Sequence, residues 1–269
     1  MNILETIIQQ KKREVAERKQ SMDIAFLKSL NVDFDSKGLS LKEKLLNSDL
    51  NIIAEFKRKS PSKGWMNKDI HVSDVIPAYE DYGAAAISVL TDTEFFGGKI
   101  EELKVARLEA GIPLLRKDFM IDEFQLYEAK SYGADIILLI AACLSKEEVK
   151  QLAEKAKELK LEVLLEIHSK EEIEHICDAV DIIGVNNRNL ETFVTDIKTS
   201  MNLIEFLPTD KPVISESGIS DVDTIITLHE HGFKGFLIGE TFMKTQKPAV
   251  AFAEFMKALR SRSANIQRV

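Results

Sequence analysis

After residue 50 the chain alternates between short apolar runs and longer stretches of mixed character. The runs read NIIAEF (51–56), AAISVL (85–90), IPLLRK (112–117), DIILLIAA (135–142), LEVLLEI (161–167), DIIGV (181–185), PVISES (212–217) and GFLIG (235–239). Several are apolar at odd and even positions alike, the pattern of a parallel strand buried on both faces. The stretches between them predict amphipathic helices over roughly 72–82, 99–109, 122–131, 145–159, 169–177, 198–206, 220–231 and 247–260. Strand and helix in strict alternation imply right-handed crossovers and a parallel sheet. There are eight such units. Eight closes a sheet on itself and leaves no edge, so the expected fold is α/β, a (β/α)8 TIM barrel. The phrases DYGAAA (81–86), SYGAD (131–135) and HGFKG (231–235) place a Gly where each helix must end before the next strand.

Residues 1–48 do not follow the alternation. ILETIIQQKKREVAERKQ, IAFLKSL (24–30) and LKEKLL (41–46) are helical in spacing. The expected organisation is an N-terminal helical extension, 1–48, packed against a barrel over 49–269 that forms one structural domain. A membrane-surface helix is the alternative for the first segment, since Lys11, Lys12 and Arg13 are clustered. Glu5, Glu14 and Glu17 dilute that basic face, and the apolar stripe is short.

Composition narrows the function classes. The 269 residues are 45% hydrophobic and 30% charged, which supplies ample core, and the net charge is −8. Proteins that bind nucleic acid or membrane surfaces are more often basic, so neither partner is expected. An anionic small molecule remains compatible if a local positive pocket receives it. Cys143 and Cys177 follow no metal or redox spacing and read as buried or half-buried free thiols. The N-terminus carries charge too early for a secretory leader, and no run approaches the ~18 apolar residues of a membrane span. The expected compartment is the cytoplasm.

In a barrel of this type the side chains at the C-terminal ends of the strands face one mouth. The polar residues that end the apolar runs are therefore the candidate site: Glu55 and Lys57, Lys117, Glu166, Asn186 and Arg188, then Glu216 with Ser217. Period two puts Glu55 and Lys57 on one face and aims Lys117 opposite to Arg116. Three carboxylates and two lysines enclosed together cost free energy unless they pair or serve chemistry. Paired Glu and Lys can exchange protons, so general acid–base catalysis is the natural inference. A Schiff base on Lys117 is a second possibility. No Gly-x-Ser-x-Gly elbow occurs, and His168, two residues after Glu166, reads as a structural residue rather than a metal ligand. Gly218 and Gly239 follow the last two strands, where this fold recurrently binds phosphate. Lys59 and Ser60, in KRKSPSKG, are expected to bring further donors to that phosphate from across the mouth.

AEFKRKSPSKG (54–64), LLRKDFMID (114–122), LEVLLEIH (161–168), GVNNRNLETF (184–193), ISESGI (214–219) and LIGETFM (237–243) together resemble the indole-3-glycerol-phosphate synthase family. The resemblance runs in order over nearly the whole chain. It implies a (β/α)8 barrel whose helical extension helps cover the site. The implied reaction closes the ring of 1-(o-carboxyphenylamino)-1-deoxyribulose 5-phosphate with loss of CO2 and water, in tryptophan biosynthesis, with no metal and no cofactor. By resemblance Lys117 is the general acid at the substrate carbonyl, and Glu166 the acid–base group of dehydration. Lys57 meets the substrate carboxylate and donates a proton as the hydroxyl leaves, and Glu55 pairs with the lysines. Asn186 and Glu216 join this catalytic set, and Arg188 and Ser217 position substrate. Ser60, Gly218, Gly239 and Glu240 match the phosphate pocket. Some family members carry Ser at the position of Glu240; here only its backbone N–H is expected to face the ligand, with the carboxylate turned away. Phe95, Phe96, Phe119 and Leu138 are expected to form an apolar slot for the aromatic ring. The resemblance implies a small phosphorylated substrate as partner, and a monomer or a weak association with other enzymes of the pathway.

Overall fold

The computed structural model describes residues 2–31, 33–190 and 192–266. Eight parallel strands close into a barrel: β1 (Asn51–Phe56), β2 (Ala86–Leu90), β3 (Leu114–Lys117), β4 (Ile136–Ile140), β5 (Glu162–Ile167), β6 (Ile182–Asn186), β7 (Val213–Glu216) and β8 (Gly235–Ile238). Each strand pairs with its sequence neighbours, and β1 closes the ring on β8 with Ala54 opposite Ile238. Every apolar run read from the sequence became one of these strands.

Alternation along each strand divides the core in two. In β1, Ile52, Ala54 and Phe56 face the outer helices, while Ile53 points inward. In β3, Leu114 faces out and Leu115 in; in β5, Val163 and Leu165 face out and Leu164 in. In four strands a polar residue comes two positions beyond an inward apolar one: Glu55 after Ile53, Lys117 after Leu115, Glu166 after Leu164, Glu216 after Ile214. The pleat alone therefore stacks these groups above a dry interior layer. Arg116, on the opposite face of β3, is fully buried among the outer helices and bonds Thr91, Gln125, Glu128 and Asp118.

The N-terminal segment forms α1 (Ile3–Ser21), α2 (Ile24–Ser29) and α3 (Leu41–Asn47). Asn2, Asp23 and Ser40 each cap a helix by accepting a backbone N–H. Leu41 and Leu45 of α3 belong to the inner barrel cluster and plug the floor opposite the mouth. Lys11 of α1 is 1% exposed. Its ammonium meets Asp92 at 2.8 Å, Asp118 at 2.9 Å and Glu14 at 2.8 Å. The membrane-surface alternative fails on this point, because the first residue of its basic cluster is an internal ion-pair residue. Among the described residues no helix is long and apolar enough to cross a membrane.

The outer layer comprises α4 (Ile76–Asp81), α5 (Glu101–Glu109), α6 (Glu123–Ser131), α7 (Lys146–Glu158), α8 (Lys198–Leu203), α9 (Val222–Glu230), α10 (Glu240–Met243) and α11 (Pro248–Ile266). The helix expected over 169–177 is instead a short 3-10 helix, Glu171–His175. That stretch offers little more than Ile173 and Ile176 to the barrel wall and places Glu171, Glu172 and Glu174 nearly side by side, so only a tight turn is held by packing. The stretch over 72–82 starts as a 3-10 turn, Val72–Asp74, because Pro77 suits only the first turn of the α-helix that follows. After β1 the chain folds into a hairpin, Lys59–Ser60 with Gly64–Trp65, where the sequence showed only a turn.

Candidate active site

The C-terminal ends of the strands surround a cavity of about 620 Å³. Its floor is apolar, with Leu138 of β4 and Leu237 of β8, and α1 covers one side with Ile3, Leu4 and Ile7. At its centre stands Lys117, whose side chain is 13% exposed. Its ammonium donates to Glu166 Oε2 at 2.6 Å and to Glu216 Oε2 at 2.6 Å. Lys57 meets Glu55 Oε1 at 2.6 Å. Asn186 Nδ2 donates to the other Glu166 oxygen at 2.9 Å, and Asn186 Oδ1 accepts the Arg188 backbone N–H at 3.0 Å. Glu55, Lys57, Lys117, Glu166, Asn186 and Glu216, six residues drawn from β1, β3, β5, β6 and β7 and the turn after β1, thus share one chamber.

The chamber holds more carboxylate than ammonium, and proton affinities follow from that imbalance. Burial disfavours the charge on Lys117, but Glu166, Glu216 and Glu55 outweigh it and hold its proton firmly. Burial likewise pushes Glu166 up, yet the Lys117 ammonium and then His168 bring it well below the usual carboxylate range. Glu216 goes the other way. Burial raises it, Lys117 compensates only in part, and repulsion from Glu166 and Glu55 adds to the rise. Two buried carboxylates sharing one lysine are thereby driven apart, one ionised and one readily protonated. Such a split is the usual mark of an acid–base site.

Glycine makes this crowding possible at two places. A Cβ at Gly239 would lie 2.5 Å from Glu55 Oε1, and one at Gly184 would lie 2.3 Å from Glu216 Oε1. At the rim Ser217 and Gly218 both adopt left-handed backbone, φ 68° and 74°. A non-glycine residue held there stores strain. Ser60, Ser217, Gly218, Gly239 and Glu240 all line this end.

Lys59 does not join them. Its ammonium donates to the Glu94 carbonyl at 2.7 Å and lies 5.7 Å from the centre of the Trp65 ring, outside the cavity wall. The hairpin explains the correction. Adjacent residues of a strand face opposite ways, so bringing Ser60 inward sends Lys59 outward. Lys63, from the hairpin turn, lines the cavity in its place. The carboxylate of Glu240 is likewise not turned away, as expected, but lies 3.4 Å from Arg188 Nη2 and 3.7 Å from Lys63 Nζ. Arg188 also donates to Ser62 Oγ at 2.6 Å, tying the β6 loop to the hairpin across the mouth. Phe96 and Phe119 form the aromatic wall, their ring centres 6.1 Å apart. Phe95 lies outside the cavity lining, its backbone N–H held by Asp92 at 2.8 Å.

Sequence reasoning missed Ser62 and Lys63, although both lie in the quoted SPSKG turn. It also missed the three apolar residues that α1 lends to the cavity, because a helix outside the repeat gives no hint of where it docks. Among the described residues no group of three or more His, Cys, Asp or Glu side chains is arranged to hold a metal ion.

The family model described as indole-3-glycerol phosphate synthase matches residues 4–255. The chain belongs to the indole-3-glycerol phosphate synthase family. A relative of that name from Bacteroides thetaiotaomicron is 49% identical over 258 residues, covering 96% of this chain and 99% of the relative. Another, from a Polaromonas species, is 38% identical over 260 residues, covering 94% and 97%. Solved structures share the barrel at low identity. The tryptophan synthase complex from Pyrococcus furiosus aligns with TM-score 0.59 at 16% identity, over 80% of this chain and 99% of that one. The 3-hexulose-6-phosphate synthase from Salmonella typhimurium aligns with TM-score 0.61 at 13% identity, over 78% and 99%. These two likenesses concern fold alone. Family membership assigns the chain to a carboxy-lyase of tryptophan biosynthesis acting on a phosphorylated small molecule.

Proposed function

We propose that the chamber around Lys117 performs the ring closure of 1-(o-carboxyphenylamino)-1-deoxyribulose 5-phosphate, and that its residues divide the protons as follows. The ring carbon bearing the carboxylate attacks the sugar carbonyl, and a carbon–carbon bond forms. Lys117 delivers its proton to the oxygen as negative charge develops there. The carboxylate then leaves as CO2, and its bonding electrons restore the aromatic ring. The new hydroxyl departs as water with a second proton, from Lys57, and the neighbouring carbon gives a proton up to the Glu166 carboxylate. Glu55 holds Lys57, Glu216 holds Lys117, and Asn186 orients Glu166.

Binding supplies the rest of the acceleration. Anchoring the phosphate among Ser60, Ser217, Gly218, Gly239 and the N–H of Glu240, and the ring between Phe96, Phe119 and Leu138, folds the substrate so that its reacting carbons meet. Arg188 and Lys63 put positive charge beside the anionic ends. The observation that carries this reading is the Lys117 ammonium shared at 2.6 Å by two buried carboxylates. A Schiff-base mechanism needs a neutral amine at Lys117, whereas these neighbours keep it protonated. Borohydride treatment with substrate is accordingly expected to leave no adduct.

The test of the division is Glu166→Gln, followed by the fluorescence of the indole product. Turnover is expected to fall by about 10²-fold or more with KM little changed. An unchanged kcat with a raised KM would remove Glu166 from the chemistry. We further propose that the protein works as a cytoplasmic monomer, since one chain supplies every residue of the chamber. Size-exclusion chromatography at working concentration checks the oligomeric state.

A further inference from the structure

His168 stands behind Glu166 and has no role in the steps above. Period two along the end of β5 places both residues on one face, so the imidazole sits beside the carboxylate, 12% exposed. Nε2 lies 3.3 Å from Glu166 Oε1, and Nδ1 lies 3.4 Å from Glu172 Oε2. Both nitrogens are buried and make no well-aligned hydrogen bond, so the ring meets the two carboxylates as charge contacts off the hydrogen-bond line. Glu172 is itself fixed, because its carboxylate accepts the His168 backbone N–H at 2.6 Å. The two oxygens of Glu166 are thus divided. Oε2 faces Lys117, and Oε1 faces Asn186 and His168.

That division matters when Lys117 gives up its proton. Glu166 then loses the ammonium that keeps it ionised, one step before it is needed. A second cation behind it restores the balance. We propose that His168 is a positioning residue, an imidazolium wedged between Glu166 and Glu172 that keeps the Glu166 carboxylate charged and aimed while Lys117 is discharged.

The surroundings favour the cationic ring. Burial disfavours its charge, but Glu166 and Glu172 outweigh it and raise His168 to about 9. The Cys143 thiol, near both carboxylates in the turn after β4, is pushed up by burial and by their charge, so it brings no further anion. Arg188 and Asp196 of the β6 loop line the same side pocket with opposite charges, and among the described residues the N-terminal segment contributes the neutral Asn2 and Leu4 there.

The inference rests on Glu166 being the acid–base group, and two measurements separate the claims. The first is a pH titration of the protein with 13C-labelled histidine, free and as Glu172→Gln. The His168 resonance is expected to titrate near pH 9, well above the ~6.5 of an ordinary histidine, and to fall in the variant. The second compares kcat and KM across pH for the unmodified protein, His168→Gln and His168→Lys. The Gln variant is expected to lose about tenfold in kcat at pH 7, the equivalent of one unit in the proton affinity of Glu166, with KM moving by less than about twofold. The unmodified protein should lose rate above pH 9, where the imidazolium discharges. The Gln variant should lack that decline, and Lys should restore part of the rate. An ordinary His168 titration, or a Gln variant with full kcat and an intact alkaline decline, overturns the inference. The titration needs no catalysis, so a misfolded variant leaves that arm decisive. Full kcat in Glu166→Gln would instead overturn the reading beneath it.

Discussion

Lys117 is held by two carboxylates, and one of them is surplus in charge. Glu216 has its proton affinity raised by burial and by Glu166 and Glu55. A carboxyl raised in the folded state contributes stability that is complete below its unfolded value of about 4.3 and is lost as pH rises through the folded one. Glu216→Gln removes that loss. Its melting temperature is therefore expected to exceed that of the unmodified protein above pH 5, by roughly 2–4 °C for each kcal/mol recovered, while kcat falls because Lys117 loses a guide. Calorimetry across pH 5 to 8 checks this, and a variant less stable throughout that range contradicts the charge surplus. The residues at this scale were legible wherever the pleat dictated them. Glu55, Lys117, Glu166 and Glu216 followed from alternation within clear strands. Lys59 did not, because its facing depends on a hairpin whose strands are two residues long. Two residues carry no periodicity to read.

Among elements, α1 is the one whose placement the repeat did not reveal. It is fastened by Lys11, the ammonium between Asp92 and Asp118. Burial disfavours that charge, but Asp118 and Asp92 outweigh it and raise its proton affinity. The two partners differ. Asp118, also bonded by Arg116 and Thr91, is held below the usual range against the pull of burial. Asp92 lacks those partners, and burial raises it despite Lys11. Lys11→Met leaves the buried Asp92 carboxylate without a cation and takes one of two from Asp118, at a cost of about 3–5 kcal/mol. Asp118 adjoins Lys117, and Asp92 holds the backbone of Phe95 and Phe96, so a raised KM should accompany the lower melting temperature. A variant that keeps both unchanged removes the fastening role. We propose on the same grounds that residues 1–48 take their form only against the barrel, since Val15 of α1 and Leu27 of α2 pack on Phe124 of α6, and Leu41 and Leu45 of α3 enter the barrel interior. The strands were legible because their apolar runs are long enough to show burial on both faces. The short 3-10 helix Glu171–His175 and the four-residue α10 were not, since tertiary contacts rather than local pattern fix them.

At the scale of the molecule the closed barrel does the assembling. It brings Glu55 and Glu216, far apart in sequence, to one mouth and leaves the floor to leucines and isoleucines. The same enclosure makes stability depend on pH. His168 is raised to about 9 against an unfolded value of about 6.5. Its contribution is complete below the lower value and lost as pH climbs through the upper one. The melting temperature should therefore decline between pH 6.5 and 9, and His168→Gln should flatten that decline; an equal slope in both proteins counts against the buried imidazolium. The most direct measurement of the whole account is the appearance of indole fluorescence when purified protein meets the carboxyphenylamino-deoxyribulose phosphate, beside the Lys117→Ala variant. The account expects turnover by the unmodified chain and a loss of about 10²–10⁴-fold in the variant, with its circular dichroism unchanged. A variant that closes the ring at nearly the original rate would contradict it.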